Sequence, residues 1–413
     1  MSATVDTPVA PHGTRSERSN LTIYVSARAT SQLGDMMVPI AAAAGLLASG
    51  VGPTGLGLVL AAWFVPFIGL MLVGGALADH FRPKPLLIVA DLVRFGSMGL
   101  TCLEFADGQP TLWRLVLLQL VTGAAGALFE PGSKGLVPEI AAERPARAYA
   151  MLRISESMVT LAGPALAGLL LGAGFSAATV IGVDAVTYLV SAVLIALVRV
   201  PARVRRRGRP PVLRDLRAGW REFRARRWIC QVIGVYMVIG LVTFGPYQVL
   251  SATILIADHD PRTFGLLQAA FGAGAVAGGL LGLRLHPKRR LRTGALAIAL
   301  WMPALWLIAA GAPVPAIAAG LVVGGAGRAF WGVQWSVAVQ QNVPAEVFNR
   351  ISAYEILGSV AMLPVGAALA GPVAALVGER AELAAGGVIG LVLLLYLAAS
   401  PRTEPPGAGS GAV

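Results

Sequence analysis

Residues 74–94 read GGALADHFRPKPLLIVADLVR and decide the fold of this chain. A long apolar run ends at Asp79, and a second apolar run begins a few residues later. The short turn between the two runs is broken by prolines and contains His80, Arg82 and Lys84. Two apolar runs joined by a proline-containing basic turn indicate two helices whose connection lies at a membrane surface.

The composition excludes the soluble classes of protein. The chain has 413 residues, of which 56% are hydrophobic and 13% are charged, and its mean hydropathy is +0.72. Soluble proteins carry about 25% charged residues. The first 20 residues contain no apolar core, so we expect no cleavable signal peptide. The bilayer is therefore the expected solvent of most of the chain.

Twelve apolar segments are near or above the roughly 20 residues that a helix needs to cross a bilayer. We therefore predict an all-α integral membrane protein with twelve transmembrane helices. The predicted segments are 21–48, 55–78, 85–106, 111–133, 148–173, 177–198, 228–255, 263–284, 292–311, 314–340, 352–376 and 383–399.

Basic residues alternate between the turns and predict the orientation of the protein. The even-numbered turns hold 24 Lys and Arg residues, whereas the other turns hold 3. Cytoplasmic turns carry the excess of Lys and Arg in membrane proteins. The sequence therefore predicts that both tails, residues 1–20 and 400–413, are cytoplasmic.

A basic linker at 199–227 divides the chain into two halves of six predicted helices, 21–198 and 228–399. The linker contains twelve arginines. Its second part places four apolar side chains at helical spacing: Leu213, Leu216, Trp220 and Phe223. This pattern predicts an amphipathic helix lying on anionic lipid of the inner leaflet.

The two halves resemble each other in sequence. Residues 74–84, GGALADHFRPK, align with 278–288, GGLLGLRLHPK, at an offset of 204. Further along, GAAGALF at 123–129 aligns with GGAGRAF at 324–330. Matches in the same order near half the chain length indicate a duplication, which is typical of transporters.

The turn after the second segment resembles the signature loop of the major facilitator superfamily, Gly-x-Leu-Ala-Asp-Arg-x-Gly-Arg-Arg. His80 and Arg82 depart from that signature. The resemblance implies the major facilitator fold, a monomer, and a cytoplasmic gate that closes one side of the protein. The matching positions are Gly75, Leu77, Ala78, Asp79 and Lys84. The implied gate consists of Gly75, Asp79, His80, Arg82 and Lys84, steadied by the ion pair of Asp91 and Arg94.

Other stretches resemble the branch of the superfamily that contains enterobactin-type siderophore exporters and macrolide efflux proteins. LFEPGSKGLVPEI at 128–140 and QQNVPAEVFNRISA at 340–353 belong to this resemblance. Gly163 and Pro164, with Gly168, resemble the fifth-helix motif of antiporters in the superfamily. The resemblance therefore implies export from a bacterial cell across the cytoplasmic (inner) membrane.

Ionisable side chains within apolar segments are candidates for function, because a central Asp or Arg costs about 2.5–3.5 kcal/mol on insertion scales. Asp35 lies in the first segment and is a proton carrier, a substrate contact or a packing carboxylate. Glu130 is a second proton candidate. It can also form a structural pair with Lys134, four residues on.

Arg328, in the tenth segment, needs an anion. That anion is a substrate carboxylate or phenolate, or else Asp35 or Glu355. We expect Glu355 to form a structural ion pair with Arg350, five residues earlier. Asp184 in the sixth segment either lines the exit path or braces its helix.

Aromatic and amide side chains are expected to line a large amphipathic cavity. In many antiporters of the superfamily an Arg precedes a glycine by four residues in the fourth helix, and here Gln119 precedes Gly123 in that way. The remaining candidates for the cavity wall include Gln248, Trp331 and Gln334.

The sequence contains no nucleotide-binding loop, no metal-ligand spacing and no Ser/His/Asp set in a supporting context. We therefore expect no enzyme, no metal, no cofactor and no nucleic-acid partner. The favoured function is proton-coupled export of an amphipathic small molecule, such as a siderophore or a macrolide-like drug, by alternating access. The alternatives are an uptake permease for a metabolite or sugar, and a non-transporting receptor or assembly partner.

Overall fold

The computed structural model describes residues 14–80, 82–141, 145–200 and 220–405. Within the helices, side chains are described except at 14–18, 71–80, 130–131, 134, 145–147 and most of 345–356. The described residues are helical throughout their regular structure and contain no β-strand. This agrees with the prediction of an all-α chain.

The first half consists of six long helices joined by short turns. Three of them begin with proline, at a position where its missing N–H is not needed. Their bounds are α1 Thr14–Ala48, α2 Pro53–His80, α3 Pro83–Ala106, α4 Leu112–Ile140, α5 Pro145–Gly172 and α6 Ala177–Leu197.

The second half also has six spanning helices, three of which are interrupted. The bounds are α7 Arg227–Ile239 with Gly240–Phe244 and Gly245–Asp258, α8 Pro261–Arg284, α9 Arg290–Ala299 with Met302–Ala309, α10 Val314–Asn342, α11 Ala345–Val360 with Leu363–Val377, and α12 Glu379–Ala399. In α7 the interruption is a π-helical turn that directly precedes Pro246. Proline lacks the N–H that an α-helical hydrogen bond would need there.

Twelve helices of the described chain are long and apolar enough to cross a membrane. The prediction of twelve spans is therefore confirmed. The structure differs mainly at the helix ends, since α4 continues to Ile140 and α1 begins at Thr14.

Of the linker, residues 199–200 and 220–227 are described, and a short helix occupies 220–225. Leu213 and Leu216 lie outside the described residues. Trp220 is 46% exposed, whereas Phe223 is 7% exposed and packs near the ring of Tyr354 in α11, with 6.0 Å between ring centroids. The described end of the linker is thus anchored on protein, and its contact with lipid stays a prediction.

The halves meet along two helix pairs, α5 with α8 and α2 with α11. A Cβ atom added to Gly168 of α5 would lie 2.7 Å from the Cα atom of Gly265 in α8, so glycine is required for this approach. In the second pair, a Cβ atom on Gly371 would lie 2.2 Å from the backbone N of Thr54. These contacts lie at the end that carries the α1–α2, α5–α6 and α7–α8 turns, which we call the closed end.

Charged side chains join several helices at the closed end. Arg380 of α12 binds both carboxylate oxygens of Asp258 in α7, at 2.6 and 2.8 Å, and also the carbonyl of Ala309 in α9 at 3.2 Å. Asp260 caps α8 by accepting a hydrogen bond from the N–H of Thr263 at 2.8 Å. This backbone hydrogen bond lowers the pKa of Asp260 below its usual range.

Gly168→Val is expected to open the closed end. The added side chain collides with α8, and overpacking of this kind costs about 1–3 kcal/mol. Such a bias shifts a two-state equilibrium roughly 5- to 150-fold. The measurement is the labelling rate of Gln268→Cys in the cavity, with both native cysteines replaced, by an impermeant maleimide added at each face. Gly99→Val is the matched control, because a Cβ atom at Gly99 meets no described atom within 4 Å.

Candidate functional site

A cavity of about 480 Å³ lies between the two halves. Its size falls in the range of roughly 300–1,000 Å³ that holds drug-sized ligands. The wall from the first half includes Asp35, Trp63, Phe64, Gln119, Thr122 and Tyr188. The wall from the second half includes Phe244, Tyr247, Gln248, Gln268, Trp301 and Arg328. The cavity is therefore amphipathic, with a carboxylate on one side and a guanidinium on the other.

Arg328 is exposed to this cavity from the middle of α10. The adjacent Gly327 lets α10 approach α9 closely, since a Cβ atom there would lie 2.0 Å from the carbonyl oxygen of Ala297. Among the described residues, Arg328 has no hydrogen bond or ion pair, and it interacts electrostatically with the hydroxyls of Tyr236 and Tyr247. An unpaired guanidinium in an apolar cavity is a site for an anion.

Aromatic rings form the wall beside Arg328. Trp301 contacts Phe244, Tyr247 and Phe271, with ring centroids 5.1, 5.0 and 5.1 Å apart. Aromatic pairs at these distances are rigid and apolar. Trp331 is 6% exposed and lies behind this wall, stacked on the ring of Tyr236.

In the first half, Arg94 of α3 lies at the centre of a buried polar cluster. Its guanidinium binds Asp91 at 2.6 Å and lies 3.9 Å from Asp35 of α1. The rings of Phe129 and Tyr188 flank the guanidinium at 4.4 and 4.5 Å from their centroids. The predicted pairing of Asp91 with Arg94 is thus present, and the structure adds Asp35 to it.

Asp35 connects this cluster to the cavity. Its side chain is 28% exposed, and Tyr188 of α6 donates a hydrogen bond from its hydroxyl to Asp35 Oδ1. The bond to Tyr188 and the nearby Arg94 provide the partners that a carboxylate needs within a membrane. Asp35 therefore has neighbours in the first half and does not bind Arg328.

Asp184 of α6 lies in the same cluster and is fully buried. It packs directly on α1, because a Cβ atom at Gly34 would lie 2.1 Å from Asp184 Oδ1. Thr187 donates to the backbone carbonyl of Asp184 at 2.6 Å. The structure thus brings Asp35 and Asp184 together with the predicted pair of Asp91 and Arg94.

Two residues of this cluster, Tyr188 and Phe129, were not among the residues predicted from the sequence. Tyr188 follows Asp184 by four residues, so the two lie on one face of α6. That spacing alone indicates that Tyr188 is a neighbour of Asp184. Phe129 precedes Glu130 directly, and nothing in the local pattern marks it as a neighbour of Arg94.

The amides differ in position. Gln119 and Gln248 line the cavity, as we expected. Gln334 instead is fully buried at the end of α8, where its Nε2 donates to the carbonyl of Gly282 at 3.1 Å. Its Oε1 accepts a hydrogen bond from Arg290 at 3.0 Å. Gln334 therefore ties α10 to the ends of α8 and α9.

The structure also gives Glu355 a partner, since Trp335 of α10 donates its indole N–H to Glu355 Oε1. Trp335 is not a cation, and the predicted ion pair of Glu355 with Arg350 stays a prediction. Several other predicted residues have side chains outside the described part of the chain: Gly75, Asp79, His80, Glu130, Lys134 and Arg350. Their roles stay predictions.

The glycines and the proline of the α5 motif have distinct surroundings. Gly163 packs on α1, where an added Cβ atom would lie 2.5 Å from the Cβ atom of Met36. Pro164 lines the cavity. Gly168 forms the contact with α8 at the closed end. The motif thus places α5 against both α1 and the second half.

Lys84 and Arg82 of the basic turn behave differently. Lys84 donates from Nζ to the carbonyls of Ala196 and Val198, at 2.7 and 2.8 Å, at the C-terminal end of α6. Arg82 is exposed. A cation at a helix C-terminus satisfies free carbonyls and the helix dipole.

Lys84→Met is expected to destabilise the first half. Loss of two hydrogen bonds from a cation to helix-end carbonyls is expected to lower the free energy of unfolding by about 1–2 kcal/mol. Denaturant titration in detergent micelles measures this change. Arg82→Met, in the same turn, is the control and should leave the unfolding curve unchanged; equal effects of the two variants would contradict the capping role.

The fold and the cavity between two halves define a secondary transporter. The family model described as Major Facilitator Superfamily matches residues 25–355. The chain belongs to the major facilitator superfamily, and it is a multi-pass membrane transporter and not an enzyme.

Two curated relatives are similar over most of the chain. The identity is 26% over 379 residues to the uncharacterized MFS-type transporter YvqJ of Bacillus subtilis (strain 168), covering 87% of this chain and 88% of that protein. It is 27% over 364 residues to the enterobactin exporter EntS of Citrobacter koseri, covering 84% of both chains. The expected resemblance to the branch with enterobactin exporters is confirmed.

Solved structures show the same fold. The nucleoside transporter NupG is 12% identical, with a TM-score of 0.72 over 91% of this chain and 97% of NupG. A D-xylose–proton symporter is 14% identical, with a TM-score of 0.68 over 95% of this chain and 99% of the symporter. At such low identity the likeness concerns the fold alone.

Proposed function

We propose that this protein is a proton-coupled exporter of an amphipathic small molecule that carries an anionic group. The observation that supports the proposal best is the cavity, in which the unpaired guanidinium of Arg328 faces a wall of aromatic rings. A ligand with a carboxylate or phenolate group and an apolar ring system matches both features.

Coupling to protons is supported by the polar cluster of the first half. Asp184 and Tyr188 of this cluster line the cavity but are buried, whereas Asp35 lines it with a side chain that is 28% exposed. Asp35 can therefore exchange a proton with the water there. Carboxylates within spanning helices are typical of proton relays in transporters. Glu130, in the inner part of α4, is the second proton candidate.

Export is supported by the relative EntS, which is an enterobactin exporter, and by the antiporter-like motif of Gly163, Pro164 and Gly168 in α5. The proposed substrate is a siderophore, which can supply the anionic group. A macrolide-like drug, the other class that the sequence suggests, lacks such a group and would bind through apolar contacts. The motion is alternating access, in which the two halves rock about the cavity and the closed end opens in turn.

The setting of the protein is part of the proposal. It would lie in the inner membrane of a bacterium as a monomer, with both tails and the basic turns in the cytoplasm. The arginine-rich linker would contact anionic lipid there, at roughly 1 kcal/mol per basic residue near the surface. Since the closed end would then face outward, the structure would represent the inward-facing state.

Solute accumulation in vesicles tests this function. Purified protein is reconstituted with either an acidic or an alkaline interior, and labelled enterobactin, a macrolide and anionic aryl dyes are added outside. A proton antiporter accumulates its solute only when the interior is acidic. A proton symporter, which would be the uptake permease, accumulates it only when the interior is alkaline. If no ligand accumulates with either gradient, the alternative of a non-transporting receptor is favoured.

A further inference from the structure

Among the described residues of the first half, one buried carboxyl group lacks an ion pair. Asp91 has Arg94 at 2.6 Å, and Asp35 has Arg94 at 3.9 Å and the hydroxyl of Tyr188. Asp184 is 0% exposed, and its Oδ2 has no hydrogen-bond partner among the described residues. The remaining oxygen, Oδ1, has the hydroxyl of Thr187 at a distant 3.5 Å.

Arg94 does not neutralise the three neighbouring carboxyl groups, those of Asp35, Asp91 and Asp184, equally. The flanking rings of Phe129 and Tyr188 fix the plane of its guanidinium, and its direct ion pair is with Asp91. Arg28 of α1 also lies near Phe129, with its Cζ atom 5.0 Å from the ring centroid. The charged and titratable groups that face Asp184 are thus Asp35 from α1, Arg94 from α3 and Tyr188 from α6 itself.

An ionised Asp184 in this position would be costly. A buried carboxylate without a paired cation loses several kcal/mol of hydration, and the neighbouring Asp35 would repel it. A neutral carboxylic acid has the same shape and carries no such penalty. Gly34, which leaves the space for Asp184 beside Asp35, brings the two carboxyls to one place.

We propose that Asp184 holds a proton in this state and that this proton is the one exchanged during transport. This role explains why α6 places the carboxyl group of Asp184 against α1 and α3, next to Asp35. Both carboxyls line the cavity, and Asp35, the exposed one, then acts as the route between the cavity water and the buried Asp184. The exchange step rests on the proposed function, whereas the protonation of Asp184 does not.

Loss of this proton would change the forces between three helices. An ionised Asp184 would repel Asp35 of α1 and attract Arg94 of α3, which is shared by the other two carboxylates. Coulomb interactions are strong in a low-dielectric interior. Protonation of Asp184 therefore favours the packing of α1, α3 and α6 that the structure shows, and deprotonation favours a different packing.

Infrared difference spectroscopy tests the protonation without any substrate. The spectrum of Asp184→Asn is subtracted from that of the wild type in lipid. We expect the difference to contain the C=O stretch of a protonated carboxylic acid, shifted to lower frequency in D2O. Asp91→Asn is the matched control, because Asp91 is equally buried but ion-paired, and its difference should contain carboxylate bands. Carboxylate bands in the Asp184 difference would overturn the proposal.

Flux measurements test the exchange. In Asp184→Asn we expect the ligand-driven proton flux to be lost, while some exchange of labelled solute against unlabelled solute remains and shows that the variant is folded. Proton flux that persists in this variant would overturn the exchange role, even if the wild type proves to be an exporter. If the wild type moves solute without protons, the proposed coupling and this exchange role both fail, while the infrared result still decides the protonation of Asp184.

Discussion

Arg94→Met is expected to destabilise the protein strongly. The substitution leaves Asp91 as a buried, unpaired carboxylate at 0% exposure and removes the cation that lies between the rings of Phe129 and Tyr188. Breaking a buried ion pair by removing one partner costs about 3–5 kcal/mol. The free energy of unfolding, measured by denaturant titration in detergent micelles, should decrease by that amount.

Two variants make the interpretation of this result specific. Arg114→Met removes an ion pair with Glu104 in which Arg114 is 54% exposed, and pairs of this kind are worth about 0–1 kcal/mol. The double variant Arg94→Met/Asp91→Leu removes both charges of the buried pair and should regain much of the lost stability. If Arg94→Met costs no more than Arg114→Met, the polar cluster is not the buried ion pair described here.

Arg328→Met is expected to abolish transport while leaving the protein folded. A charged group that contacts a ligand ion in a desolvated site contributes about 2–5 kcal/mol. Since each 1.4 kcal/mol is a factor of ten, ligand binding should weaken by at least roughly 25-fold. Equilibrium binding of a fluorescent aryl anion to the purified protein measures the effect.

The stability of the same variant provides the second half of the prediction. Arg328 has no partner among the described residues, so its removal breaks no described ion pair and relieves an unpaired charge. Stability equal to or above that of the wild type is therefore expected, as is common when a functional residue is removed. Arg289→Met, at an exposed arginine before α9, is the control for binding. A stability loss with unchanged binding would assign Arg328 a structural role.

The twelve spans were predictable because length and hydropathy alone determine them. Every backbone polar group in hydrocarbon must be satisfied within its own helix, so a run of about 20 apolar residues has one favourable structure. The pairing of Asp91 with Arg94 was predictable for the related reason that residues three apart share a helix face. These are local properties of the sequence.

The cluster around Arg94 was not predictable, because it is built from α1, α3 and α6. Asp184 was assigned to the exit path or to a bracing role from its depth in one segment, and nothing in that segment indicates Asp35 as a neighbour. For Arg328, the sequence offered Asp35 and Glu355 as alternative anions. The structure gives both carboxylates other partners, Tyr188 and Trp335. Which side chains meet depends on how helices pack, and the periodicity of one helix does not encode this.

Gln334 illustrates the same limit at the second half. An amide near aromatic residues in a spanning helix is typical of a cavity wall. In the structure this amide satisfies carbonyls at the end of α8, a need that arises only once α8 and α10 are packed together. Sequence position placed Gln334 near the correct depth, but the packing determined its role.

Measuring proton movement driven by a ligand shows whether this protein couples transport to protons. Protein in vesicles with a trapped pH dye is exposed to enterobactin, a macrolide and anionic aryl dyes in turn. For a proton-coupled exporter we expect a proton flux that requires one ligand class and disappears in Asp35→Asn and in Arg328→Met. A labelled ligand that crosses down its own gradient with no proton movement would contradict proton coupling.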